Sequence, residues 1–439
     1  MTDHRSLDAD TDQRRIGPIW LSPGVLPRHA FILFFSGALA IGFVNLIGLI
    51  QPLLLQEQLG MRSGEGSFTA MLFVVAEITT LLVAAPLANF SDLVGRRPIF
   101  SSGFLITCLV LIAYPLAETQ TEMLFYRVFM SVGIACCTTM IASIMADYPQ
   151  NASRGKFIAL NGVFSALGVI VVGSGLTQLP RVFTAQGFSP VDASIYTLWI
   201  GSGLALFAAI MSFSGLKKGR AHDHEDSLPF FENARVGLRE ISGNPRLILG
   251  CAATMLSRGD LTVLAAFFSL WIQKVGADSG IASVDASATA GRLFGLTQIA
   301  MLCTMPFIAS IADRFDRVTT LCLSMTIASL GYFALGFSPN PFESAWIYAV
   351  VVMAGMGEAV VIVSVPTLIG QEAPGRFRGS IIGVAATFGA LGIILTNQAA
   401  GYLFDNWSYQ GPFLFMGILN GLMLIWALGV RLMAKPHGH

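Results

Sequence analysis

Between two long apolar stretches stands Ala88-Asn-Phe-Ser-Asp-Leu-Val-Gly-Arg-Arg97, and 221 positions later the chain reads Ala309-Ser-Ile-Ala-Asp-Arg-Phe-Asp-Arg317. Each copy has a small residue, three spacers, an Asp, and then one or two Arg. A charged turn of this kind cannot sit in hydrocarbon, so each copy marks a polar crossing between two apolar segments. Its return at a matching place in the second half points to a duplicated unit. Further along, Arg154-Gly-Lys…Phe164-Ser-Ala-Leu-Gly168 aligns with Arg378-Gly-Ser…Phe388-Gly-Ala-Leu-Gly392 at a shift of 224. The duplication therefore runs through whole halves of the chain.

Composition supports the same reading. Apolar residues make up 54% of the 439 positions and charged residues 12%, about half the usual charged share of roughly 25%, and the mean hydropathy is +0.68. So few charges cannot cover a soluble surface. The formal net charge is zero, which leaves no basic field for nucleic acid. The six cysteines all fall in apolar stretches without metal-ligand spacing and read as small core residues.

Runs of about 18 to 25 apolar residues are long enough to cross a bilayer. Twelve are legible, from Ala30–Leu54 to Pro412–Leu432. They predict an all-α membrane protein of twelve transmembrane helices in two pseudo-symmetric six-helix bundles. The expected division is residues 1–29 as a cytoplasmic N-terminal segment, 30–214 as the first bundle and 215–245 as a cytoplasmic linker. Residues 246–434 form the second bundle and 435–439 a short cytoplasmic tail. In the linker, Leu228–Ile241 has helical apolar spacing with charges between, the pattern of a surface helix. Lys and Arg concentrate in one set of loops, among them Arg96, Arg97, Lys217, Lys218, Arg314 and Arg317, while the other set holds Arg62, Arg181, Lys274, Arg292 and little else. The positive-inside rule then places both termini in the cytoplasm, with the chain in the plasma (inner) membrane.

Duplicated bundles in parallel repeat are an architecture of secondary transporters, which bind substrate near the bilayer midplane. A bare charge at the bilayer centre costs about 3 kcal/mol on insertion scales, so each charge inside a span calls for a partner or a function. Five stand out: Glu77, Arg127, Arg258, Asp260 and Glu358. Three carboxylates against two guanidinium groups leave one carboxylate without a fixed counter-charge, and such a group can exchange a proton near neutral pH. Arg258 and Asp260 lie about 200° apart around a helix and are not expected to pair. Asp260 and Glu358 lead as protonation or substrate-contact sites, with Arg258 as counter-charge and Glu77 third. Asn45, Gln298 and Asn397 suit a polar cavity wall.

The resemblance is to the major facilitator superfamily, from about Ala30 to Leu432. In that family the turn between the second and third helices reads G-x-x-x-D-R-x-G-R-R. Asp92, Gly95, Arg96 and Arg97 match it, while Ala88 and Leu93 depart. The second copy keeps Asp313, Arg314 and Arg317. Arg127-Val-Phe-Met-Ser-Val-Gly133 is similar to the fourth-helix R-x-x-Q-G-x-G motif, with Met130 and Ser131 departing. The Gly-Pro pair typical of drug/proton antiporters is missing from the fifth helix. The resemblance implies that both charged turns act as a cytoplasmic gate, that the fourth and tenth helices line a central cavity, and that Arg127 has a part in proton transfer.

No phosphate-cradling loop and no nucleophile–base pair is legible, so neither an enzyme nor an ATP-driven pump is expected. No cofactor is implied. His222-Asp-His-Glu225 is a solvated loop, and no metal site is expected. The predicted partners are a small-molecule substrate, protons and the lipid bilayer, with the chain a monomer. The first functional expectation is a proton-coupled carrier that exports an amphiphilic organic compound by alternating access. Proton symport or exchange of an organic anion, held by Arg127 and Arg258, is the alternative. A scaffold or sensor that keeps the fold without transporting is the third.

Overall fold

The computed structural model describes residues 15–218 and 230–433. The expected surface-helix start at Leu228, the His222–Glu225 tract and the tail 435–439 lie outside the described residues. So do the side chains of residues 230–234 and of Asp313, one of the expected gate residues.

Twelve helices are long and apolar enough to cross a membrane: Pro27–Glu57, Glu65–Val94, Arg96–Leu116, Gln120–Asp147, Asn151–Ala185, Pro190–Gly215, Pro245–Asp278, Ser283–Ala312, Arg317–Gly336, Trp346–Glu372, Gly375–Asn406 and Gly411–Met433. They are numbered here as the first to twelfth spans. Local chemistry sets where several begin. Thr119 and Ser189 each accept a backbone N–H of the helix they precede, from Glu122 and Asp192, and Asn244 does so for Arg246. Such caps satisfy donors that have no partner inside the helix. Gly95 ends the second span at φ +104°, a conformation that glycine adopts without steric cost.

The first six spans bury one core, with Phe34, Phe100, Phe104 and Tyr114 among its large members. The last six bury another around Phe267, Phe268, Trp271 and Phe413. Small residues let backbones approach in lipid, and the two halves use the same position for it. Gly168 of the fifth span lies against the Ala38 backbone of the first, and its repeat mate Gly392 of the eleventh lies against the Met255 backbone of the seventh. The fifth span differs from its mate in one respect: residues Val169–Ser174 form a π-helical turn.

Both described ends of the chain lie on the face that carries the two charged turns, called here the basic face. A short hairpin, Arg15–Ile16 with Ile19–Trp20, is fastened there to the end of the fourth span. The Ser22 amide donates to Tyr148 O at 2.8 Å, and the Gln150 amide to Trp20 O at 3.0 Å. The linker helix Phe230–Ser242 is not a free surface helix. Ile241 packs with Leu247, Cys251 and Ile381 in a small third core, and Gly237 meets the Ser380 carbonyl. The helix therefore rides on the eleventh span.

Candidate translocation site

The first, second and fifth spans of one half pack against the seventh, eighth and eleventh of the other, and the hydrogen bonds between the halves lie toward the face opposite the basic one. Ser269 of the seventh span donates to Leu49 O of the first at 2.6 Å. Asp405 at the end of the eleventh accepts the Gly66 and Ser67 amides of the second at 2.9 and 2.7 Å. This carboxylate caps a helix N-terminus in the other half, where it also meets the positive end of the dipole. Gln178 of the fifth donates to Ala288 O of the eighth at 2.9 Å. Two ion pairs cross the same seam: Lys274–Glu65 at 2.5 Å and Arg181–Asp285 at 2.8 Å.

On the basic face the ion pairs of the described residues stay within one half each. Arg96 holds Asp92 at 2.6 Å and Asp147 at 3.3 Å and also bonds Ser91. Arg97 lies over the Phe213 ring at 4.5 Å. In the second half Arg246 holds both Asp316 and Glu372 at 2.9 Å, tying together the starts of the seventh and ninth spans and the end of the tenth. Arg314 is exposed, and Arg317 opens the ninth span half-buried. The halves are thus bonded to each other at one end, while at the other the ion pairs of the described residues fasten each half to itself.

In the second half a cavity of about 410 Å³ is lined by the seventh, tenth and eleventh spans, with Arg258 the one charged residue in its wall. An opposing charge, Glu77 of the second span, lies within electrostatic reach of Arg258. This corrects one expectation: Arg258 is not the counter-charge of Asp260 or Glu358, because it turns away from both.

Asp260 and Glu358 are brought together, but inside the second half and not on the cleft, where the sequence had placed them. They are 2% and 4% exposed and close enough to interact electrostatically. Asn420 donates to Asp260 Oδ1 at 2.9 Å, and the Tyr332 hydroxyl donates to the Asp260 carbonyl at 2.8 Å. Asp260 Oδ2 and Glu358 Oε1 have no hydrogen-bond partner among the described residues. No Lys or Arg forms an ion pair with either carboxylate among those residues.

Arg127 stands apart from this cluster. It is buried in the first half, with Nε donating to Leu72 O at 3.3 Å and the guanidinium 5.0 Å from the Phe73 ring centre. Tyr114 is its electrostatic neighbour. In this state Arg127 braces the fourth span against the second and cannot reach a ligand in the cavity. Asn397 is fully buried and spends its amide on Thr262 Oγ1 and Ile393 O, both at 2.8 Å. Asn45 donates back to Ile41 O at 3.0 Å, and Gln298 is buried. None of the three lines the Arg258 cavity. Phe267, Phe268 and Trp271 of the seventh span are core and do not line it either.

Several residues that matter here gave no signal in the sequence reading. Glu65, Lys274, Asp405 and Asp285 sit at span ends, where charge is ordinary, so nothing distinguished them. Tyr332 and Asn420 are neutral polar residues scattered in apolar runs.

Twelve membrane-crossing helices in two six-helix halves, with a pocket among the spans of the second, define an integral multi-pass membrane protein of the carrier class. The family model of the Major Facilitator Superfamily matches residues 33–397, and the chain belongs to that family of transporters. It is 28% identical over 418 residues to the magnetosome protein MamH of Paramagnetospirillum magneticum, covering 93% of each chain. It is 30% identical to the magnetosome protein MamZ of the same organism, spanning 88% of this chain and 60% of that one. Among solved structures the nucleoside transporter NupG superposes with a TM-score of 0.74 at 15% identity, over 92% of this chain and all of that one. At that identity the likeness is one of fold. Fold and relatives are those of transporters and not of enzymes.

Proposed function

We propose that this transporter couples the export of an amphiphilic organic small molecule to proton entry, by alternating access. The observation that carries the reading is the enclosed Asp260–Glu358 pair. Two bare carboxylates in hydrocarbon would cost about 3 kcal/mol each on insertion scales, and their repulsion adds to that. A proton on the pair removes most of that cost, and its release calls for a change in the surrounding packing. The proton thus acts through the seventh, ninth, tenth and twelfth spans, without touching the substrate. The mostly aliphatic wall of the Arg258 cavity suits a cargo with a large apolar part. The bias of Lys and Arg supports a cytoplasmic basic face in a plasma-membrane carrier, which we take to work as a monomer. The described state is then open inward. The two charged turns, here knotted within their own halves, exchange partners across the cleft when it closes.

The test uses proteoliposomes loaded with a pH-sensitive dye and challenged with a panel of amphiphilic compounds. At least one compound is expected to drive proton flux through the wild-type protein, and Glu358→Gln and Asp260→Asn should abolish that flux while leaving the protein folded. Undiminished proton-coupled flux in both variants would remove the coupling role. Failure of the wild type to move any compound would favour the scaffold reading.

A further inference from the structure

We propose that the cavity of the second half selects the anionic head of an amphiphile, with Arg258 as the anion-binding residue and Glu77 as its built-in competitor. This deepens the transport reading by naming the substrate class, and it rests on that reading for its biological meaning.

The argument starts from the donors that the cavity offers. Its volume of about 410 Å³ falls in the range of small-molecule sites, roughly 300 to 1,000 Å³. Two hydroxyls stand in the wall, but both are committed to their own helix: Thr254 donates to Gly250 O at 2.8 Å and Ser257 to Thr254 O at 3.1 Å. The remaining wall is aliphatic, with Leu261, Val365 and Ile369 among its members. The guanidinium of Arg258 is therefore the group with hydrogen-bond donors to give. The residue is exposed and forms no ion pair among the described residues. Arg presents a planar fork that matches a carboxylate or phosphate in two parallel bonds. A ligand with such a head and an apolar body satisfies both parts of the cavity. A neutral amphiphile leaves the charge unmet, and a cationic one is repelled by it.

Glu77 gives the site a second property. It belongs to the second span, which packs against the seventh and eleventh of the other half, and lies within electrostatic reach of Arg258, so in the empty carrier it partly compensates the guanidinium. An arriving anion competes with it for the same charge. The two residues should therefore respond oppositely to neutralisation, which a purely structural ion pair does not do. Arg127, buried within the first half, cannot substitute, since it is enclosed against Leu72 and Phe73.

The experiment measures equilibrium binding of radiolabelled octanoate to the full chain in lipid nanodiscs, with empty nanodiscs subtracted and no proton gradient present. Octanol and octylammonium serve as neutral and cationic competitors. Octanoate should bind saturably, and neither competitor should displace it at equal concentration. Arg258→Gln should weaken binding at least about tenfold, the loss expected from one charge-assisted contact, and Arg258→Lys should recover part of it. Glu77→Gln should tighten binding several-fold. Preferential binding of octylammonium, an unchanged affinity in Arg258→Gln, or weaker binding in Glu77→Gln would each overturn the proposal. Thermal melting of each variant guards against misfolding, and the Lys and Glu77 variants keep the test decisive if Arg258→Gln does not fold. Because binding is read without a gradient, loss of the proton-coupling reading in vesicles leaves this result standing, and the converse also holds.

Discussion

Arg258 and Asp260 are two positions apart, and that spacing turns one into the pocket and the other into the interior of the second half. Asp260 is held there by one side-chain bond, from Asn420 at 2.9 Å. Asn420→Ala leaves a buried carboxylate oxygen with no donor, at a cost of about 1 to 3 kcal/mol. The expected outcome is a lower melting temperature in detergent, measured with and without the Asp260→Asn change. The Asn420→Ala penalty should shrink in the Asp260→Asn background, because a neutral amide needs the missing donor less. The helical period alone separated Arg258 from Asp260. It did not reveal which neighbour each would meet, since that depends on how far every span is rotated about its axis by packing. So Arg258 was assigned to the wrong carboxylates, while Glu77, ranked third in the sequence, turned out to be its neighbour. The pairing of Asp260 with Glu358 was out of reach for the same reason.

At the scale of elements, the spans were legible because the bilayer imposes their length, and the repeat was legible because Gly168 and Gly392 do the same job at equivalent positions. The π-helical turn after Gly168 had no counterpart in the letters: Val-Ile-Val-Val-Gly-Ser reads as ordinary apolar helix. The docked linker helix was half legible. Its apolar stripe was plain, but its target was not. The hairpin strap offers a test of how elements are tied. Tyr148, just past the fourth span, is buried, and burial pushes its phenol up to about 12. Its hydroxyl accepts the Lys217 amide at 3.1 Å, so it joins the fourth span to the end of the sixth. An unfolded tyrosine titrates near 10. The folded group holds its proton more tightly, so its contribution is complete below about pH 10 and is lost as pH rises from there toward 12. Denaturant midpoints should fall as pH rises from about 10 toward 12, and in Tyr148→Phe that part of the fall should vanish.

For the whole molecule, the seam opposite the basic face sets the state. Ser269, fully buried beneath that seam, is a natural reporter. In a Cys303→Ser background, which removes the exposed native thiol, Ser269→Cys should react slowly with a polar thiol reagent added from the seam side. Lys274→Glu sets two carboxylates against each other and should speed labelling about tenfold, equivalent to roughly 1.4 kcal/mol of seam stability. Adding Glu65→Lys should restore the slow rate. Rapid labelling in the unaltered seam would show that the halves are not joined there.

The two ion pairs of that seam are not equal. Arg181 and Asp285 are 56% and 45% exposed, whereas Lys274 and Glu65 are 13% and 2%. Dissolved ions weaken an exposed ion pair even in contact and leave a shielded one largely alone. One fastening can thus be loosened by salt in the solution at that face and the other largely resists it. High salt at that face would weaken the seam in part and leave its shielded pair in place, with no regulator involved.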